Sequence, residues 1–266
     1  MTSQLQDSPD RWITLEGAVN VRDLGGLPVR GGAATRQRVL LRSDNLQDLT
    51  ETDLRTLRED VGLSDVVDLR TSSERSVEGP GPLDHDPDVR VHHWSLLPEA
   101  GDEAREVDGD VLMPWQAGPD EVPAPRSETR GVYVSYLRDR PASVVGALRT
   151  VAHADGAVVV HCAAGKDRTG VLVALALDLV EVDRDAVVAD YLLTSERIDA
   201  IIARLAGARA YASNLRERSR DSHLPRAEGL EDVFRYVDAD GGTRRWLDRH
   251  GWRSEDTDAL WQRLRD

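Results

Sequence analysis

The sequence predicts an α/β protein with a mainly parallel central sheet flanked by helices, and with additional helices at its C-terminus. Three observations carry that expectation. Short apolar runs at 38–42, 65–69 and 157–161 alternate with amphipathic stretches, as strand–helix–strand crossovers do. The last run, Ala157-Val158-Val159-Val160-His161, enters a glycine-bearing loop and then the apolar stretch Val171-Leu172-Val173-Ala174-Leu175-Ala176-Leu177. Past residue 182 the chain reads as helical to its end, with breaks near 222–225 and 238–242.

Each element has a local cause. Between the strands at 38–42 and 65–69, Thr50 and Asp53 make a capping box, Leu54, Leu57 and Val61 form an apolar face, and Gly62 ends the helix. Residues 89–94 alternate as a strand, which turns His92 and His93 to opposite faces and leaves them unsuited to share a metal ion. Residues 99–130 read as an acidic, proline-rich insertion: from Glu99 to Glu121 eight acids stand against one arginine, with Pro114, Pro119, Pro123 and Pro125 in or beside the run. A helix starting at Pro141 buries Val144, Val145, Leu148 and Val151 and ends by Gly156.

Residues 195–220 place Ile198, Ile201, Ile202, Leu205, Ala212 and Leu215 on one stripe, opposite Arg204, Arg209, Arg216 and Arg218. That helix either packs as ordinary core or, as the family resemblance carried by the decapeptide at 161–170 implies, forms a lid. Trp246, Trp252 and Trp261 belong to the core of the last helices. The 266 residues suit one domain, 1–266, in which 195–266 is a helical extension.

A net charge of −14 argues against nucleic acid as a partner and against tight docking on anionic membranes. The excess lies within residues 1–195, because acids and arginines balance after that point. No apolar run reads as a secretory signal or a stable membrane anchor. A single thiol fits a reducing cytoplasm.

The only cysteine and the only lysine lie four residues apart in His161-Cys162-Ala163-Ala164-Gly165-Lys166-Asp167-Arg168-Thr169-Gly170. Such a strand–loop–helix junction can wrap a tetrahedral oxyanion with the backbone N–H groups of Ala163, Ala164, Gly165 and Lys166. Cys162 would attack as the thiolate, favoured by a helix N-terminus and a nearby cation. Arg168 offers a two-pronged fork for phosphate oxygens. Gly165 permits a positive φ and close backbone approach. Thr169 is expected to cap the helix and to bond the thiolate, and His161 to fix the loop through a backbone hydrogen bond. Lys166 either faces a second phosphate or completes the solvent side of the loop. A Walker loop is excluded, because it needs glycine at 160 and Ser or Thr at 167, where Val160 and Asp167 stand.

Cys-x5-Arg-Thr resembles the signature loop of cysteine-dependent protein tyrosine phosphatases. The string HCAAGKDRTG resembles one branch, the bacterial and fungal atypical tyrosine, dual-specificity and phosphoinositide phosphatases. Asn20-Val21-Arg22-Asp23-Leu24-Gly25-Gly26, Leu41-Arg42-Ser43, Val67-Asp68-Leu69-Arg70 with Glu74-Arg75, and Asp190-Tyr191-Leu192-Leu193-Thr194 are similar to further segments of that branch. The resemblance implies a cysteine-phosphatase-like fold and a phosphomonoesterase acting through a phosphocysteine, without metal or cofactor. Its implied substrates are phosphotyrosine proteins first, then phosphoserine/threonine proteins and phosphoinositides. It also implies Asp167 as proton donor. The Trp-Pro-Asp loop of other members is absent; Trp115…Pro119-Asp120 is its nearest imitation, and Asp23 is a third candidate. For Arg22 and Asp23 a buried ion pair holding the loop is the plainer expectation. Two rival functions stand beside this one: a phosphate-recognition module without turnover, and a small-molecule inositol-phosphate phosphatase. A single cysteine argues against an arsenate reductase, which relays a disulfide.

Overall fold

The computed structural model describes residues 11–99, 128–212 and 219–265. Among them five strands make one sheet: β1 (Arg22–Asp23), β2 (Leu40–Ser43), β3 (Leu63–Asp68), β4 (Arg90–His93) and β5 (Ala157–His161), in the spatial order β1-β2-β5-β3-β4. Only β1 runs antiparallel; β5 lies at the centre, pairing Val158 with Leu40 on one side and His161 with Asp68 on the other. Every residue of β5 is buried. Val158 and Val160 face one apolar cluster and Ala157 and Val159 the other, so a run of branched residues suits both faces. Each fully buried valine contributes about 1.5–3 kcal/mol.

The expected mainly parallel α/β architecture is the one observed. The helix after β2 begins as α1 (Glu51–Arg55) with the Thr50–Asp53 capping box, and continues as a π-helical turn (Thr56–Val61). Gly62, at φ 77°, closes it in the left-handed conformation. Asp53 also accepts from the N–H groups of Glu16 and Gly17, which ties the approach to β1 onto this helix. After β3 comes α2 (Ser72–Glu78), capped by the same reciprocal device between Thr71 and Glu74. On β4, His92 bonds Asp65 and His93 the carbonyl of Arg70; no metal-binding cluster occurs among the described residues.

Two helices, α3 (Glu128–Asp139) and α4 (Pro141–His153), precede β5, and α5 (Asp167–Leu179) follows it. α3 was not legible in the sequence. Of the insertion read over 99–130, residues 100–127, Asp120 among them, lie outside the described residues, and 128–130 are instead the first turn of α3.

Then come α6 (Arg184–Leu192), α7 (Ile198–Gly207), α8 (Ala227–Ala239), α9 (Thr243–Arg249) and α10 (Ser254–Leu264). The stripe read over 195–220 is therefore not one continuous helix. It stops at Gly207, where Ala208 turns extended, and Leu215, Arg216 and Arg218 fall outside the described residues. Trp246 and Trp252 are buried in the core, and Trp261 packs against it while donating to the carbonyl of Leu179. No helix of the described residues is long and apolar enough to cross a membrane.

Asp53→Ala removes the acceptor of three backbone N–H groups, those of Glu16, Gly17 and Thr50. It should lower the free energy of unfolding in urea by about 3 kcal/mol; a loss under about 0.5 kcal/mol would show that water replaces the carboxylate without cost.

Candidate active site

The sheet delivers Cys162 from the carboxyl end of its central strand, where parallel α/β sheets form their binding crevices. Six successive carbonyls around it are taken up, four by donors from elsewhere in the protein, one by the His161 ring and one by the first turn of α5. The carbonyl of His161 accepts from Leu69 N–H (3.0 Å), that of Ala163 from Asn45 N–H (2.9 Å), and that of Lys166 from Gly170 N–H (2.8 Å). Cys162 O bonds His161 Nδ1 (3.3 Å), Ala164 O accepts from Asn20 Nδ2 (3.0 Å), and Gly165 O from Arg42 Nη2 (2.8 Å). The N–H groups of Ala163, Ala164, Gly165, Lys166 and Asp167 donate to no protein acceptor among the described residues. A peptide whose C=O points out presents its N–H to the opposite side, so the loop is an anion cradle. Gly165 has φ +65°, and a Cβ there would meet the Ser43 carbonyl at 2.3 Å; only glycine fits.

Asn20 and Arg42 are themselves held by a buried ion cluster. Asp190 of α6 receives Arg11 (2.8 Å), Arg22 (3.2 Å) and Arg42 (3.0 Å), and Arg22 donates on to Asn20 Oδ1 at 2.6 Å. Burial pushes the Asp190 carboxyl up, but Arg22, Arg42 and Arg11 outweigh it and hold the group down at about 2. Burial, with the Arg42 charge, lowers Arg22 to about 9. Here the expected Arg22–Asp23 ion pair is corrected. Neighbours on a strand face opposite sides, so Arg22 turns inward to Asp190 while Asp23 accepts from the N–H groups of Gly25 and Arg38 and closes the turn beyond β1.

Arg168, only 1% exposed, sets its fork on Glu74, with Nη1–Oε2 at 2.6 Å and Nη2–Oε1 at 2.8 Å, and Nη1 also reaches the Leu69 carbonyl. Burial raises the Glu74 carboxyl, yet Arg168 and two hydrogen bonds from Thr71 hold it below the ordinary carboxylate range. The guanidinium is thus oriented before any substrate arrives. Behind the loop, His161 is buried, its Nε2 3.7 Å from Asp68. Burial outweighs Asp68 and lowers it to about 4, so the imidazole is neutral and its Nδ1–H serves the Cys162 carbonyl as expected.

Asp167 opens α5 and accepts at Oδ1 from the Tyr133 hydroxyl, which in turn lies 2.8 Å from the Tyr191 hydroxyl. Lys166 Nζ donates to the His223 carbonyl (2.7 Å) and stands 3.7 Å from Asp167 Oδ1. Thr169 does not cap the helix. The helix begins at Asp167, Lys166 is its N-cap residue without a side-chain bond, and the Thr169 hydroxyl is buried without a hydrogen-bond partner among the described residues. Over the loop, Ile201 and Leu205 of α7 and the ring of Tyr211 form a small apolar cluster with Ala163, joined by Ala164. Arg204 pins this cover to Asp44 and, at 3.0 Å, to Asp48. Cys162 is 2% exposed.

The match to known proteins decides what kind of site this is. Residues 13–266 fit the tyrosine phosphatase family. The chain belongs to that family. It is 32% identical over 210 residues to the triple specificity protein phosphatase PtpB of Mycobacterium tuberculosis, covering 72% of each chain. It is 33% identical over 233 residues to a protein of Cupriavidus necator named for tyrosine-protein phosphatase activity, covering 84% of this chain and 78% of that one. The enzyme is a cysteine-dependent protein tyrosine phosphatase.

Several groups that shape the phosphatase site had no role assigned from sequence. Asn20, Arg42, Glu74, Asp190 and Tyr191 stood inside the family-like segments, where the match itself was the only signal. Tyr133 carried no signal, because nothing in α3 marks one tyrosine over another.

The lowered His161 has a defined pH consequence. Below its unfolded value of 6.5 the unfolded chain binds a proton that the folded chain refuses, so stability falls as pH drops from 6.5 to about 4. The loss should reach about 3 kcal/mol. In urea titrations across that window, His161→Gln should flatten the slope; an unchanged slope would assign the acid sensitivity to another group.

Proposed function

We propose that the phosphatase works by two displacements at the Cys162 sulfur. Sγ attacks phosphorus in line, the P–O bond breaks, and Asp167 gives its proton to the leaving oxygen. Water then attacks the phosphocysteine, Asp167 takes up a proton, and Cys162 leaves as thiolate. Arg168 and the inward amides of Ala163–Asp167 hold the charge on the equatorial oxygens through both steps. The hydroxyl of Thr169 is free to stabilise the departing sulfur. The observation that carries this reading is the set of outward-bonded carbonyls above Cys162, which leaves a ring of donors with nothing to hold but an anion.

Phosphotyrosine in proteins is the leading substrate. Phosphoserine/threonine and phosphoinositides extend the range, in keeping with a relative named for triple specificity. We read residues 1–266 as one catalytic domain working in the cytoplasm, with α7 and Tyr211 as a cover that must lift before substrate enters. Movement of the segment around His223 would free Lys166 to meet a second phosphate.

A panel of phosphotyrosine peptide, phosphothreonine peptide and phosphoinositide vesicles tests the proposal. Wild type should turn over the first fastest, and Cys162→Ser should lose at least about 10³-fold in kcat on all three. Retained turnover by Cys162→Ser would end the cysteine mechanism for this chain. Lys166→Ala should depress phosphoinositide hydrolysis more than peptide hydrolysis; equal effects would confine Lys166 to bracing the loop.

A further inference from the structure

We infer that Tyr133 and Tyr191 are positioning residues that aim the Asp167 carboxyl and ease departure of its proton. The inference rests on the reading of Asp167 as proton donor. Both tyrosines are buried, where phenylalanine would fill the same space without a hydroxyl to satisfy. Both rings are seated against glycines. A Cβ at Gly229 of α8 would lie 2.6 Å from the Tyr133 ring, and one at Gly170 of α5 would lie 2.8 Å from the Tyr191 ring. Four helices, α3, α5, α6 and α8, therefore fix where the two hydroxyls meet.

The hydrogens can be assigned from their number. Tyr133 has one O–H, and Asp167 Oδ1 can only accept it whether the carboxyl is ionised or protonated on Oδ2, so the 2.8 Å contact between the hydroxyls is Tyr191 donating to Tyr133. Burial, with the Asp167 charge, raises Tyr133 well above its ordinary value, so it stays a donor. Among the described residues every contact to the carboxyl, from Tyr133 and from Lys166, falls on Oδ1. Oδ2 is the oxygen left to carry the transferable proton.

In the first displacement that proton moves from Oδ2 to the leaving oxygen as the Sγ–P bond forms and the P–O bond breaks. Negative charge grows on the carboxylate, and the Tyr133 bond strengthens with it. Tyr133 keeps its own proton. The bond thus favours the transition state over the ground state of leaving-group departure, and matters most for leaving groups that need full protonation.

The test is kcat/KM over a series of aryl phosphates from dinitrophenyl to phenyl, with Asp167→Asn, Tyr133→Phe and Tyr191→Phe. Asp167→Asn should lose increasingly as the leaving group worsens. Tyr133→Phe should follow the same trend in smaller measure, by about tenfold at phenyl phosphate and under about twofold at the dinitrophenyl ester. Tyr191→Phe should repeat that trend more weakly. A uniform loss for Asp167→Asn would remove Asp167 as donor, and the inference with it. A steep trend for Asp167→Asn with a flat one for both tyrosine variants would leave the donor in place and reduce the tyrosines to packing.

Discussion

Six consecutive carbonyls, from His161 to Lys166, are each held by a hydrogen bond, and much of the architecture is arranged around that pattern. Buried carbonyls need donors. Here four of the six donors come from distant parts of the chain: Leu69 after β3, Asn45 after β2, Asn20 before β1 and Arg42 within β2. The parallel sheet matters because it brings these strand ends together beside the end of β5.

The donors need anchoring in turn, and the anchor is ionic. Asp190 neutralises only part of the charge of Arg11, Arg22 and Arg42, so the cluster keeps a positive excess in the protein interior. Such a group is weak evidence for stability, because desolvation offsets much of the attraction. Its use is directional. It sets Arg42 against Gly165 and, through Arg22, sets Asn20 against Ala164. Glu74 does the same for Arg168. The loop and Arg168 are thus held in place by charges one residue removed from them.

How much of this the sequence showed depended on whether the cause was local. The valine run of β5, the Thr50–Asp53 capping box and the Gly62 stop were legible, because residue spacing alone dictates them. The strand–loop–helix junction around Cys162, with Gly165 at positive φ, was legible because its residues are packed into one decapeptide. The Arg22–Asp23 pairing failed because adjacency in sequence is opposition on a strand, and the true partner of Arg22 lies on α6. Thr169 was misread as a cap because the helix starts two residues earlier. The Tyr133 contact to Asp167 joins residues 34 apart. Only the packing of α3 on α5 brings them together, and no periodicity announces it.

The central claim is that the cradle exists to place phosphorus on one sulfur. Mixing the enzyme rapidly with an aryl phosphate, quenching in acid and mapping the digest by mass spectrometry tests it most directly. The account predicts phosphate on the peptide bearing Cys162, and none there when residue 162 is serine or when quenching follows complete turnover. Phosphate on any other residue, or steady turnover with no phosphoenzyme under conditions where its hydrolysis is limiting, would contradict it.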